Sequence, residues 1–119
     1  MGTPKVFESE YKFCSILWEN EPVGSMELVK LCKERLGWSK SNTYMVIRRL
    51  AERGIIKNEN AVVSALVTKQ QVQVAEIEEL METRFDGDVP AFLAAFTKQK
   101  SLSDKQIEEI MKIIDSVKE

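Results

Sequence analysis

The chain contains no histidine, so the commonest general base and the commonest protein metal ligand are both missing. Its two cysteines, Cys14 and Cys32, are too few for a disulfide framework. No His or further Cys completes a metal set around them, and both fall on apolar helix faces, so they read as core residues. Five glycines and three prolines in 119 residues exclude a collagen-like chain, and no glycine-rich phosphate loop exists. No run approaches the roughly 20 apolar residues of a membrane span. Met1-Gly2-Thr3-Pro4-Lys5 has no apolar run behind a basic start, as a signal peptide would. The expectation is a cytoplasmic protein without membrane insertion and without a cofactor. The paired carboxylates Glu78-Glu79 and Glu108-Glu109 lie on polar helix faces where water keeps them ordinary acids, so no enzyme is expected.

What is present is 44% apolar and 30% charged sequence, enough for one compact unit or a small domain with an appended arm. The formal charge of −2 hides an asymmetry. Residues 1–70 carry a net +3 and residues 71–119 a net −5, and the window 33–57 alone carries +5. A basic head followed by an acidic tail fits a polyanion-binding head on an assembly tail; a solvated basic helix fits the same numbers.

The first periodic segment runs from about Phe7 to Glu19, with Phe7, Tyr11, Cys14 and Trp18 as its stripe and Phe13 and Leu17 widening it. Asn20-Glu21-Pro22 ends it. A second helix starts after Gly24 with Ser25 as the expected N-cap, buries Leu28, Val29, Cys32 and Leu36, and stops at Gly37. A third helix starts at Ser39 and ends at Gly54. Thr43, Val46, Ile47 and Leu50 mark its buried stripe, and Ser41, Tyr44, Met45 and Arg48 its outward side, flanked by Asn42 and Arg49. Hydroxyl, amide and guanidinium groups on one helix side suit a DNA groove. Trp18 and Trp38 read as packing residues rather than stacking platforms, since nothing basic surrounds Trp18.

After Gly54 the period changes. Ile55 to Asn58 and Ala61 to Val67 are β-branched-rich runs around Glu59-Asn60, a two-stranded hairpin. Thr68 to Gln71 fits a capping box opening a helix that runs to about Phe85. Its stripe is Val74, Ile77, Met81 and Phe85, with Val72 and Ala75 on the far side, as in a helix with two neighbours. Pro90 opens a short helix anchored by Phe92, Leu93 and Phe96. Ser103 to Gln106 is another capping box, before a last helix with the stripe Ile107, Ile110, Met111, Ile114 and Val117. The fold class expected is mainly α with a small β-hairpin: a winged helix-turn-helix over 1–68 and a three-helix dimerisation region over 69–119. Those three helices are too short and too apolar to stand alone. Pairing with a second chain through Ile77, Met81, Phe85, Phe92, Leu93, Phe96, Ile110 and Ile114 would hide that surface.

Several stretches carry a family resemblance. The helix from Glu10-Tyr11 to Ile16-Leu17-Trp18-Glu19, the Gly37-Trp38-Ser39 opening, and the run Ile47-Arg48-Arg49-Leu50-Ala51-Glu52-Arg53-Gly54 are three of them. Phe85-Asp86-Gly87, Leu93-Ala94-Ala95-Phe96, and Leu102-Ser103 with Ile107-Glu108-Glu109-Ile110 complete the set. In order and spacing they resemble the penicillinase-repressor (BlaI/MecI/CopY) family over roughly residues 6 to 118. The resemblance implies a homodimeric repressor on a palindromic operator of double-stranded DNA. It also implies relief by a membrane sensor protease that cuts the fifth helix, at a bond matching Ala95–Phe96. The candidate DNA contacts are Ser39, Lys40, Ser41, Asn42, Tyr44, Met45, Arg48, Arg49 and, from the hairpin, Lys57. The family's Arg-Ala-Tyr-x-Tyr wing strand is replaced here by Ala61 to Val67, without Arg or Tyr. That departure keeps a second reading open, a winged-helix module that holds another protein and no longer binds DNA. The copper-responsive members' C-terminal cysteine motif is missing, since no cysteine follows Cys32.

Overall fold

The computed structural model describes residues 2–118, and the chain forms two compact units, Met1–Glu78 and Glu79–Glu119. The elements run α1 (Glu8–Asn20), β1 (Val23–Gly24), α2 (Ser25–Leu36), α3 (Lys40–Glu52), β2 (Ile56–Glu59), β3 (Val62–Ala65), α4 (Lys69–Phe85), α5 (Val89–Gln99) and α6 (Asp104–Ser116). The division between the units falls inside α4.

In the first unit the core follows the helical periods. α1 buries Phe13, Cys14, Ile16 and Leu17. The stripe is therefore rotated from the expected one: Tyr11 and Trp18 are only half-buried, and Phe7 is the exposed N-cap residue. Residues 13, 14 and 17 fill the centre, and the larger rings sit at the margin, Trp18 donating its indole N–H to the Val67 carbonyl at 3.0 Å. Trp38 stacks on Phe13 at 6.1 Å between ring centres. Both tryptophans thus pack, as their positions predict.

α2 starts one residue earlier than its composition implies. Gly24 is the N-cap, and Ser25, the expected cap, is the buried first residue of the helix. Its backbone N–H donates to the Ala61 carbonyl at 2.8 Å. A hairpin far along the chain therefore takes the role that a capping side chain plays elsewhere. Leu28 and Cys32 are fully buried, while Val29 and Leu36 lie at the edge. Gly37 ends the helix at φ +70°, a left-handed conformation that glycine adopts without penalty.

α3 matches its pattern. Ser39 caps it, its hydroxyl accepting from the Asn42 N–H at 3.1 Å. Thr43, Val46, Ile47 and Leu50 are its four buried residues. Each of the three apolar side chains contributes about 1.5–3 kcal/mol by leaving water. The Thr43 hydroxyl donates to the Ser39 carbonyl at 3.0 Å, so the one polar member of the stripe is satisfied.

The expected hairpin is present, with a third strand that no pattern announced. β2 and β3 pair with Glu59 opposite Val62, and β1 pairs with β3 on its other edge, Val23 opposite Val63. The sheet order is β1-β3-β2. A two-residue strand is too short to show alternation, which is why it escapes a sequence reading. The turn is Asn60-Ala61, with φ of 53° and 62°. Two positive values in a two-residue loop match the right-handed twist of the strands. Asn tolerates that conformation; alanine does so at a cost.

Described by itself, the second unit joins its first two helices by ring contacts. Phe85 meets Phe92 edge-on at 5.5 Å, and Phe92 stacks on Phe96 at 6.1 Å. Asp86 and Gly87 take positive φ to end α4, and Asp88 caps α5, accepting from the Ala91 N–H at 3.0 Å. Ser103 and Gln106 form the expected capping box of α6. Neither α5 nor α6 buries a residue fully, and the α6 stripe leaves Ile107, Met111, Ile114 and Val117 exposed.

The strained turn generates a prediction. Ala61→Gly should stabilise the chain by about 1 kcal/mol, because removing the Cβ relieves the left-handed strain by more than the added unfolded-state freedom costs. The urea midpoint would rise; an unchanged or lower midpoint would show that the turn is not strained.

Candidate nucleic-acid interface

The outward side of α3 is set by the inward one. With Thr43, Val46, Ile47 and Leu50 held in the core, the helical period leaves Ser41, Met45 and Arg48 in one exposed row. Lys40 is exposed at the start of the helix. Asn42 is half-buried, its backbone N–H committed to the Ser39 cap. The Ser39 and Ser41 hydroxyls lie 3.4 Å apart. Tyr44 is half-buried, and its hydroxyl lies 3.4 Å from that of Ser25, a polar link between α2 and α3.

The structure gathers some of the expected residues and separates others. Tyr44 and Arg48 line an open cleft with Ile47, Ala51 and Asn58, so this flank of α3 faces the first hairpin strand. Asn58 is exposed there. Nothing in the sequence marks it, because its place beside Arg48 depends on how the hairpin folds back. Lys57, the expected wing cation, is exposed with its Nζ 4.0 Å from a Glu59 carboxylate oxygen. Arg49 lies on the opposite flank. It lines a separate cleft with Phe7, Ser9, Glu10 and Arg53, and its Nε is 3.5 Å from Glu10 Oε2.

Glu10 is a residue the periodicity did not single out. Its carboxylate is buried on an otherwise apolar side of α1. Oε1 accepts from the Phe7 N–H at 3.0 Å, and Oε2 accepts from Arg53 Nη1 at 2.6 Å. Arg53 also donates to the Lys5 carbonyl and lies over the Phe7 ring. A buried carboxylate survives when charge and hydrogen bonds both meet it, and here both do. Among the described residues no buried side-chain nitrogen or oxygen lacks a partner.

Both cysteines are buried in the core. Burial pushes the Cys14 thiol up to about 12, with nearby Glu10 adding to the rise and Arg53 opposing it. Burial likewise pushes Cys32 up to about 11. Both stay protonated at neutral pH, where a thiol is a poor nucleophile and a poor metal ligand. Among the described residues no cluster of three or more His, Cys, Asp or Glu could hold a metal, and no helix is long and apolar enough to cross a membrane.

A helix-turn-helix, a small three-stranded sheet and a polar, cation-bearing row on the second helix of the pair coincide with one sequence signature. A sequence model of the penicillinase repressor family matches residues 7–116. The chain belongs to that family. It is a family of transcriptional repressors, not of enzymes. The methicillin resistance regulatory protein MecI of Staphylococcus aureus strain Mu50 is 20% identical over 117 residues, covering 95% of each chain. The penicillinase repressor of Staphylococcus aureus is 23% identical over 113 residues, covering 92% of this chain and 90% of its own. Among solved structures, Staphylococcus aureus MarR in complex with salicylate and kanamycin aligns with a TM-score of 0.47 and 16% identity. That alignment covers 94% of this chain and 71% of that one.

Proposed function

We propose that this penicillinase-repressor family member acts as a homodimer that seats α3 of each chain in the major groove of a palindromic DNA operator. The observation that carries the reading is the exposed row Ser41, Met45, Arg48 on a helix whose other side is locked in the core. A groove-reading helix needs this division: base-edge chemistry outward, orientation fixed from within. Ser39, Lys40, Asn42 and Tyr44 extend the surface toward the start of the helix. Arg48 points it toward the wing, where Lys57 adds a cation, and Arg49 supplies a phosphate anchor on the other flank.

The pairing surface proposed is residues 69–119, through Ile77, Met81, Phe85, Phe92, Leu93, Phe96, Ile110 and Ile114. Exposed apolar residues along α4 and, separately, along α6 support it, because large apolar side chains left in water gain by being covered. Pairing would set the two α3 helices about 34 Å apart, one duplex turn, or a multiple of it. The first 68 residues then act as the DNA-binding head. Relief of repression by a membrane sensor protease is the finer reading taken from the family. Its bond would be Ala95–Phe96, both exposed in α5.

Four outcomes are expected. With a duplex selected from a random pool, Arg48→Ala should weaken binding roughly 5- to 150-fold with an unchanged thermal midpoint. Wild-type affinity should fall with salt at a slope of about −0.9 per phosphate neutralised. A salt-flat response with unaltered Arg48→Ala affinity would favour a protein-binding winged helix instead. Phe92→Asp or Phe96→Asp should give monomers in sedimentation at micromolar concentration; a persisting dimer would remove α5 from the interface. When the chain is incubated with a sensor protease, N-terminal sequencing of the smaller product should read Phe96 first, and a different start would refute the assigned bond.

A further inference from the structure

We infer that Glu10 is a positioning residue for DNA binding, holding the Arg49 guanidinium by its Nε so that its two η nitrogens face a backbone phosphate. The inference rests on the DNA-binding reading above and concerns a residue that lies outside the groove-facing row. Two observations and two geometric arguments carry it.

First, the carboxylate is almost closed to water while its partners are not equally so. The Glu10 side chain is 4% exposed, Arg53 29% and Arg49 49%. Second, the two arginines are used differently. Arg53 is committed: it meets Glu10 Oε2 at 2.6 Å, donates to the Lys5 carbonyl and covers the Phe7 ring. It neutralises the buried charge and ties the segment before α1 to the end of α3. Arg49 meets the same oxygen through Nε alone, at 3.5 Å. Third, a guanidinium held by Nε keeps its other edge free for the bidentate geometry that a phosphate offers. A long flexible side chain biased toward that orientation by the ion pair loses less rotamer freedom when the phosphate arrives. Fourth, Arg49 lies one residue, and so about 100° of helical turn, from Arg48. A contact on this flank would clamp the backbone beside the groove that the Ser41, Met45, Arg48 row enters.

The sign of one substitution separates this role from plain electrostatics. Removing a negative charge near a polyanion should strengthen DNA binding if Glu10 acts only by its charge. Losing the oxygen that holds Arg49 should weaken it. The experiment is a fluorescence anisotropy titration of the selected duplex at several salt concentrations. It uses the full chain and the variants Glu10→Gln, Arg49→Ala and the double substitution, with thermal unfolding recorded for each. The expected result is that Glu10→Gln binds roughly tenfold more weakly. Its salt slope should also fall by about 1 per subunit, as for Arg49→Ala, with no further loss in the double variant. Equal or tighter binding by Glu10→Gln overturns the inference. So does an equal further loss in the Arg49→Ala background, which would mark a role in the fold alone. Should Glu10→Gln not fold, Glu10→Asp keeps the charge but withdraws it by one methylene. It is expected to lower the salt slope, and an unchanged slope overturns the inference. Failure of the wild-type chain to bind any duplex refutes the DNA-binding reading itself and is distinct from either variant's behaviour.

Discussion

The inward stripe of α3 is the constraint on which the rest of the first unit turns. Val46, Ile47 and Leu50 are held in a core shared with α1, α2 and the sheet, and Thr43 joins them only because its hydroxyl is satisfied within the helix. A helix fixed by three large apolar side chains cannot roll about its axis without exposing them. Its outer row is thereby aimed, although no residue of that row does the aiming. Groups that carry recognition chemistry need to be presented rigidly and remain wet, and a half-buried amphipathic helix satisfies both demands.

The polar ties around this core are few and long-range. Ser25 donates its backbone N–H to Ala61, Ala65 donates its N–H to a Glu21 carboxylate oxygen, and Trp18 reaches Val67. Each joins a helix to the hairpin, so the wing is bonded to the helices that it accompanies rather than hanging from its own ends. Glu10 does the corresponding work between α1 and α3 through Arg53 and Arg49. A buried carboxylate is an expensive way to join two helices compared with an apolar contact. Its compensation is direction: a carboxylate fixes where a guanidinium points, and a leucine cannot.

Much of this was legible in order along the chain, and the limits have physical causes. Periods of three and four residues located the helices because apolar side chains at that spacing fall on one face, and Gly37, Gly54, Ser39 and Ser103 marked ends because backbone groups at helix termini need partners. The third strand was invisible, since Val23-Gly24 gains its partner only when β3 arrives beside it. The α1 stripe was misplaced by about one position for a related reason: Phe7 looks apolar in sequence, yet its place is an exposed cap over which Arg53 lies. Ser25 has the composition of a cap and is not one, because the Ala61 carbonyl claims its N–H.

The amino-acid sequence alone determined which side of each helix is oily, where the helices stop, that the head is basic and the tail acidic, and that the chain has the penicillinase-repressor pattern. These are local properties, settled by neighbours within four residues or by composition. Tertiary structure alone decided what Arg48 and Arg49, already set apart by the helical step, each meet: one lies beside Asn58 and the other beside Glu10. It also decided that a glutamate 43 positions before Arg53 would be its buried partner. Such pairings cannot be read from spacing, because they depend on which surfaces meet once hydrophobic burial has folded the chain back on itself.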